Sequence, residues 1–247
     1  MSRTFTINIK NASLENKTFL LFQSLPKPAN VPQAEVFTNV YQRSVQVQGN
    51  GSAKASFQMT SQYWAVYGTS EQSQDGLTKV TTSDSRDTTL GPKGSFFVLS
   101  TMPDSNGKPD GVSPCFDDTA SGKQTTDAAG AFTIRSDGSF TTYNESNIYF
   151  GVGAKDPKSG EIIPIQTYRA RPNVVSQIFP RVKYYIAFGN YEPGSIIAMN
   201  QLGNVLEVDF TTAVPPSCTF TLDATNNYVP DAAIVNSGIK WRVTNAV

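Results

Sequence analysis

The stretch from Thr4 to Lys10, T-F-T-I-N-I-K, decides the fold class. Its alternation places Phe5, Ile7 and Ile9 on one face, because successive side chains of a β-strand point to opposite sides of the sheet. A period of two is typical of a strand with one face in the core and the other in water. The sequence therefore predicts a β-strand at the start of the chain.

Similar runs of β-branched and aromatic residues recur along the whole chain, separated by turn-forming residues. No segment of ten or more residues has a convincing helical period, so we predict an all-β fold with few or no long helices. Two packed antiparallel sheets and one closed sheet both fit this spacing, and we favour the antiparallel β-sandwich. The runs are TFLLFQ (18–23), AKASFQM (53–59), QYWAVYG (62–68), SFFVLS (95–100), AFTIR (131–135), GSFTTY (138–143), NIYFGVG (147–153), EIIPIQT (161–167), VKYYIAFG (182–189), GSIIAMN (194–200), NVLEVDF (204–210), CTFTL (218–222) and IKWRVT (239–244).

The length and composition indicate one β-sandwich domain over residues 1–247. The chain is 38% hydrophobic and 16% charged, less charged than the roughly 25% of an average globular domain. All-β folds of about 200 to 250 residues commonly form a single domain.

The residues from Met102 to Gly130 interrupt the strand pattern, because they are dense in Gly, Pro, Ser, Asp and Asn. We predict a long loop insertion at 102–130, either functional or a mobile surface loop; a connection between two subdomains is the other interpretation. Within it, Asp104, Asn106 and Asp110 have the spacing of a calcium loop. The sixth and twelfth places of that pattern hold Pro and Cys instead of Gly and Glu, so we expect a solvated turn and no metal.

The absence of histidine excludes several function classes. Histidine is the side chain whose ordinary pKa lies closest to neutrality, so His-based triads and most catalytic zinc sites are excluded. Twenty basic and twenty acidic residues give a net charge of +0, which provides no general attraction to nucleic acid. The opening MSRTFTINIK alternates polar and apolar residues, so we expect no secretory leader, and no window approaches the ~20 apolar residues that a membrane span requires. We expect a cytoplasmic protein without a cofactor, a membrane span or a nucleic-acid partner, whose Cys115 and Cys218 stay as thiols.

Carboxylates can act as catalytic groups without histidine. A glycosidase needs two of them, whereas carboxylates near turns are most often simply solvated. A histidine-free, carboxylate-dependent enzyme is therefore the alternative function, with Tyr or Arg as helper. The residues available to it are Asp117, Asp118, Asp127, Asp209, Glu207 and Glu192.

Aromatic and arginine side chains are the candidates for ligand binding. Exposed Tyr or Trp rings suit sugar stacking or protein contact, although core filling is the competing interpretation. In YRARP, an extended backbone would point Arg169 and Arg171 to the same side and make a clamp for a carboxylate or phosphate. The candidate ligand-binding residues are Trp64, Tyr67, Tyr168, Arg169, Arg171, Tyr185 and Tyr191.

Two distinctive elements lie far apart in the chain: F-Q-x-L-P at Phe22, Gln23, Leu25 and Pro26, and Y-Y-I-x-F-G-N-Y-E-x-G at 184–194. Together with the opening TFTINIKNASLENKTFLLFQSLP, VFTNVYQ (36–42) and PRVKYYIAFGNYEPGSII (180–197), they resemble the rhizosphere-induced, RhiA-like proteins of rhizobia and fungi. The resemblance runs to about residue 210. It implies a β-rich cytoplasmic protein and transfers no catalytic residue to this chain.

These observations favour a non-catalytic binding or assembly protein. Its exposed aromatic residues would recognise a glycan or another small ligand, or its edge strands would pair with a second copy in a homo-oligomer. The carboxylate-dependent enzyme and an abundant storage or crystal protein are the alternatives.

Overall fold

The computed structural model describes residues 3–23, 25–50, 53–72, 78–197 and 202–244, and it confirms the all-β prediction. Strands make up 52% of it and helices 4%. The end of the predicted run 194–200 lies outside these ranges. In the described ranges, no helix has both the length and the apolar composition of a membrane span.

Eighteen strands and one four-residue helix follow each other along the described chain. The strands are β1 (Thr4–Asn11), β2 (Phe19–Gln23), β3 (Val36–Arg43), β4 (Lys54–Thr60), β5 (Trp64–Gln72), β6 (Thr78–Asp87), β7 (Phe96–Pro103), β8 (Pro109–Phe116), β9 (Phe132–Ser136), β10 (Ile148–Lys155), β11 (Ile162–Arg169), β12 (Val175–Ile178), β13 (Lys183–Phe188), β14 (Ile196–Ile197), β15 (Val205–Asp209), β16 (Ser217–Leu222), β17 (Tyr228–Pro230) and β18 (Lys240–Thr244), and the helix is α1 (Asp118–Ser121). Two short 3₁₀ turns lie at Gln33–Glu35 and Ala232–Ile234.

The strands form three sheets, one more than the two expected, and the sheets pack on each other as a sandwich. One small sheet has the order β17-β16-β1-β4 and another the order β12-β9-β7-β8. The large sheet has the order β18-β15-β13-β2-β3-β11-β10-β5-β6, with β14 paired to β3. Most pairs are antiparallel, whereas β1 with β16 and β7 with β9 run parallel.

The apolar faces of the three sheets meet in one core cluster. Phe5, Ile7 and Ile9 are all buried in it, as their alternation predicts. The same cluster contains Phe19 of the large sheet and Phe132 of the other small sheet. Removal of this apolar surface from water, at about 25 cal/mol per Å², drives the packing of the sheets.

The large sheet curls until its edge strand β6 reaches the residues before β14. The backbone N–H of Val80 donates to the carbonyl of Gly194 at 3.3 Å, and Lys79 and Ser195 form a β-bridge. Since β14 pairs with β3, the strands β3, β11, β10, β5 and β6 form a ring of hydrogen-bonded neighbours that residues 194–197 close.

Glycines permit the sharp curvature of this ring. A Cβ atom on Gly68 would lie 1.8 Å from the carbonyl oxygen of Thr81, and one on Gly151 would lie 2.1 Å from that of Gln166. The strand register shifts beside Gly68, between it and Tyr67. Bulges and strand glycines are the usual means by which a sheet bends and its backbones approach each other.

The segment 102–130 corrects the prediction of a long loop. Its residues 109–116 form β8, which pairs antiparallel with β7, and 118–121 form α1. The sequence also missed β6, whose residues are mostly polar, and wrongly predicted a strand at 138–143. There the side chain of Asp137 accepts a hydrogen bond from the Ser139 N–H at 2.9 Å and caps a turn. Cross-strand partners decide such cases, because strand propensity depends strongly on context.

Candidate functional site

Tyr67 and Tyr168 lie in the core, so the core-filling interpretation holds for both. Tyr67 is 6% exposed and packs edge-on against Phe116, with ring centroids 4.8 Å apart. Tyr168 is 0% exposed and packs against Phe150 at 5.5 Å. Burial raises the pKa of both phenol groups. Neither ring is available for stacking on a ligand at the surface.

Trp64 and the two arginines of YRARP, Arg169 and Arg171, are not brought together in one site. Arg171 pairs with Glu35, so a carboxylate of the protein already occupies the predicted clamp. Arg169 lies at the end of β11, opposite Tyr149. Trp64 is half-buried at the start of β5, on a different strand of the large sheet.

Tyr185 lies in a cross-strand row that runs from Phe22 through Tyr185 and Glu207 to Arg242. Its ring stacks on Phe22 at 5.6 Å with an interplanar angle of 9°. Burial, reinforced by the Glu207 carboxylate, raises the pKa of Tyr185 to about 12. Tyr185 and Tyr191 both pack against one apolar cluster, so the structure brings these two candidates together. The cluster consists of Leu20, Phe22, Val40, Ala187, Ile197, Leu202 and Val205.

The two distinctive sequence elements are neighbours in the large sheet. Strand β2 pairs antiparallel with β13, so that Gln23 lies opposite Tyr184 and Phe22 lies opposite Tyr185. The F-Q-x-L-P element is also fixed from the other side, because the Gln166 amide donates to the carbonyl of Leu25 at 3.2 Å. The Gln23 amide also donates a hydrogen bond to the carbonyl of Arg181. These two residues are 158 positions apart in the sequence, so the pairing of the strands brings them together.

The second element ends in a turn at residues 189–194, and Gly194 fastens that turn to the ring. The Gly194 N–H donates to the carbonyl of Val40 at 2.8 Å, and its own carbonyl accepts from Val80 N–H at 3.3 Å and the Asn39 amide at 3.1 Å. Its φ of +85° is a left-handed conformation that favours glycine. A Cβ at this position would lie 3.1 Å from the Val80 carbonyl oxygen.

Arg43 of β3 holds the middle of the 189–194 turn. Its guanidinium pairs with the Glu192 carboxylate and donates to the side-chain oxygen of Asn190 at 2.8 Å. Both contacts join residues that are far apart in the sequence, so the turn is positioned by the sheet rather than by local preference alone.

Two clefts flank the 189–194 turn, and Glu192 and Pro193 line both of them. The first cleft has a volume of about 960 Å³ and the second about 730 Å³. The first is lined by Asn16, Lys17, Thr18, Arg43, Ser44, Val45, Gln46, Lys158, Phe188, Gly189, Asn190, Glu192 and Pro193. The second is lined by Lys79, Val80, Thr81, Thr82, Ser83, Asp84, Ser85, Glu161, Ile162, Ile163, Pro164, Glu192, Pro193 and Gly194.

The first cleft is basic. Lys17, Arg43 and Lys158 line it together with a single lining carboxylate, that of Glu192. The Lys17 ammonium lies over the Phe188 ring, 4.6 Å from its centroid, and also contacts Glu15 at 2.6 Å. Cations therefore outnumber carboxylates even when Glu15, which lies outside the lining, is counted.

The second cleft has the opposite charge. Asp84, Glu161 and Glu192 line it against one cation, Lys79. Hydroxyl-bearing residues of β6 complete its lining, namely Thr81, Thr82, Ser83 and Ser85. Each of the two clefts thus has a distinct electrostatic character, although they share one side.

Among the predicted catalytic acids, three have separate structural roles. Asp117 caps α1 by accepting from the Ala120 N–H at 3.0 Å. Asp118 pairs with Arg86 at 3.3 Å. Asp209 accepts from Thr211, at 2.9 Å from its N–H and 2.6 Å from its hydroxyl.

The other acids also have distinct surroundings. Asp127 is exposed. Glu207 lies between Lys183 at 3.1 Å and Arg242 at 2.7 Å, and Glu192 pairs with Arg43. Of the six acids, Glu192 alone lines either of the two clefts beside the turn.

The calcium-like residues form backbone turns. Asp104 accepts from the N–H groups of Asn106 at 2.8 Å and Lys108 at 2.9 Å, and Asp110 accepts from those of Val112 and Ser113. The backbone hydrogen bonds from Lys108 and Asn106 lower the pKa of Asp104, and hydrogen bonding from the Ser113 side chain, followed by the backbone bonds, lowers that of Asp110. In the described part of the chain, no group of three or more His, Cys, Asp or Glu residues is placed to hold a metal ion.

Sequence reasoning missed most residues of the first cleft. Lys17, Arg43, Lys158 and Phe188 come from separate strands and loops, and no local motif joins them. The usable signal was the distinctive second element, which contains Asn190 and Glu192 within the turn.

Comparison with known proteins gives one match. The model of the family described as RhiA matches residues 2–232, which is most of the chain. No curated protein and no solved structure matches the sequence.

Proposed function

This chain belongs to the RhiA family, and on that premise we propose that it is a non-catalytic binding protein whose ligand, a glycan or another small polar molecule, occupies the first cleft. The observation that carries the proposal is the position of this cleft. It lies against the 189–194 turn, which is part of the most distinctive sequence element and is held by contacts from β3 and β6.

The lining of the first cleft suits a polyhydroxylated ligand. Ligand sites are concave and combine apolar surface with a few polar groups that fix orientation. Here the polar groups are the amides of Asn16, Gln46 and Asn190 and the hydroxyl of Thr18, and the apolar surface comes from Val45 and Phe188. Amides both donate and accept hydrogen bonds, as sugar hydroxyls also do.

The single carboxylate that lines the first cleft favours binding over glycoside hydrolysis. Most glycosidases need a pair of carboxyl groups, one on each side of the bond that breaks. Among the residues that line this cleft, Glu192 supplies the only carboxylate, and it is paired with Arg43. The cleft therefore offers contacts for a ligand without the acid pair that this reaction requires.

The test is a glycan array followed by calorimetric titration of the hits, with a matched pair of tryptophan variants. Gln46 and Gln48 are both exposed and lie two positions apart, but only Gln46 lines the first cleft. We expect Gln46→Trp to fill the cleft and abolish binding, and Gln48→Trp to bind like the unmodified chain. Equal binding by both variants would place the ligand elsewhere, and an array without hits would remove the proposal.

A further inference from the structure

We infer that the first cleft selects ligands that carry a carboxylate on a polyhydroxylated body, as uronic acid sugars do, and that Arg43 exchanges the Glu192 carboxylate for that of the ligand. The inference rests on the proposed function, because it names the ligand class of the same cleft. It follows from the charge of the cleft, the fixed position of its cations and the exposure of Glu192.

The charge of the cleft is local, because the whole chain has a net charge of +0. Lys17, Arg43 and Lys158 line the cleft together with a single carboxylate, that of Glu192. Clefts lined by one sign of charge concentrate ligands of the opposite sign. A neutral sugar would leave these cations without a new partner, whereas a uronate would supply one.

Arg43 is the group suited to hold the ligand carboxylate. A guanidinium presents paired donors that match a carboxylate in a bidentate arrangement. The Arg43 side chain is 30% exposed and stays oriented by Asn190 at 2.8 Å, whereas the Glu192 side chain is 63% exposed. Exposed ion pairs contribute little net stability, so a ligand can displace Glu192 at small cost.

Lys17 is a second fixed cation. Its side chain is 12% exposed and its ammonium is held over the Phe188 ring at 4.6 Å. An ammonium fixed in this way loses little conformational freedom when a ligand binds. The amides of Asn16, Gln46 and Asn190 line the same cleft. The oxygens of Asn16 and Asn190 already accept from the Gly49 N–H and from Arg43, so these two residues would contact the ring hydroxyls of a sugar through their NH₂ groups.

The experiment titrates the full chain with three probes: trigalacturonate, the neutral galactotriose of the same length, and succinate, which has carboxylates but no sugar ring. We expect trigalacturonate to bind at least about tenfold more tightly than either control, because a hydrogen bond between charged groups is worth about that factor. Its affinity should fall as salt rises, since the cleft is open to solvent and its charges are screened.

Variants separate the role of Arg43 from that of Glu192. Arg43→Gln should weaken trigalacturonate binding at least about tenfold, and Glu192→Gln should strengthen it because the competing carboxylate is gone. The matched controls are Arg135→Gln, in the sheet of β9, and Glu161→Gln, which lines the second cleft. Both controls should leave the affinity unchanged, and thermal melting verifies that each variant is folded.

The outcomes distinguish this inference from the proposed function. Equal binding of galactotriose would overturn the acidic ligand class and leave the cleft as a general sugar site. Equal binding of succinate would overturn the requirement for a sugar body. Unchanged or weaker binding by Glu192→Gln would overturn the exchange, even if Arg43→Gln failed to fold. If none of the probes binds and the glycan array is also empty, both proposals fail.

Discussion

The two clefts beside the 189–194 turn share Glu192 and Pro193 but have opposite charge. The first collects Lys17, Arg43 and Lys158, and the second collects Asp84 and Glu161 around Lys79. A chain with a net charge of +0 therefore has a basic and an acidic surface on either side of one short turn. The comparison shows that the tertiary arrangement of the strands, and not the overall composition, determines which surface is basic and which is acidic.

The largest expected effect on stability comes from Gly194, at the end of the 189–194 turn that lies between the two clefts. Gly194→Ala forces a residue with a Cβ into a left-handed φ and against the Val80 carbonyl, so we expect the free energy of unfolding to fall by about 3 kcal/mol. Urea denaturation measures the change. The matched control is Gly130→Ala, which has a φ of +77° but nothing within 4 Å of its Cβ. An equal loss in both variants would show that ring closure adds nothing to the cost of the backbone conformation.

A smaller effect on stability is expected at Asn39, which contacts Gly194. This side chain is 0% exposed, donates to the Gly194 carbonyl at 3.1 Å and accepts from the Thr167 hydroxyl at 3.0 Å. Asn39→Ala removes both contacts and leaves the Thr167 hydroxyl buried without its acceptor, which should cost about 2 kcal/mol. Thr167→Val combined with Asn39→Ala should cost less than the two single losses added together. Additive losses in denaturation would show that the pair does not act as a unit.

Glu192 and Glu207 are both paired with cations but differ in exposure. The Glu207 side chain is 10% exposed and lies between Lys183 and Arg242, whereas that of Glu192 is 63% exposed. Glu207→Gln should lower the free energy of unfolding by about 1.5 kcal/mol at neutral pH, and Glu192→Gln by less than about 0.5 kcal/mol. Equal values from denaturation at pH 7 would contradict the distinction.

The same glutamate gives a pH dependence. Burial alone would raise the pKa of Glu207, but its hydrogen bonds from Arg242 and Lys183 outweigh that effect and hold the pKa below its usual value of 4.5. A carboxyl group with a lowered folded-state pKa stabilises the fold above its unfolded pKa, and this contribution is lost as the pH falls through the folded-state pKa. The difference between the original chain and Glu207→Gln should therefore be full at pH 7 and shrink below about pH 4.5. A difference that grows on acidification would reverse the sign argued here.

A small effect on stability is also expected in the first cleft, at Lys17. Lys17→Met keeps an unbranched stem on Phe188 but removes the ammonium over the ring, so the free energy of unfolding should fall by roughly 0.5 kcal/mol. Trigalacturonate binding should weaken as well, because one of the three lining cations is lost. Lys123→Met, an exposed lysine outside both clefts, is the control in both measurements.

The sequence predicted the fold better than the site, and the strands show why. The alternation of Thr4 to Lys10 records which face of β1 meets the core, and the runs of aromatic and β-branched residues at β5, β10 and β13 indicate strands in the interior, so each can be predicted from its own residues. Strand β6 has no such pattern, because one side of it meets solvent and hydroxyl-lined space. Its pairing with β5 decides its structure, and local propensity does not record that pairing.

The candidate site was harder to predict, because aromatic side chains look alike in sequence whether they face the core or water. Tyr168 and Tyr185 were both binding candidates, yet the first is fully buried and the second lies half-buried beside a charged row. The cleft itself joins residues from 16–18, 43–46, 158 and 188–193. Nothing in their sequence spacing places them together.

The amino-acid order by itself determined that this chain is built from short strands with one apolar face, that imidazole chemistry is absent, and that it resembles the RhiA family, because each of these is written in local pattern or composition. Only the tertiary structure decided that the large sheet curls into a ring, that Arg43 meets Glu192, and that basic and acidic clefts form on either side of one turn. The physical reason is that strand pairing joins residues that are far apart in the sequence, and electrostatic interactions depend on the resulting distances in space.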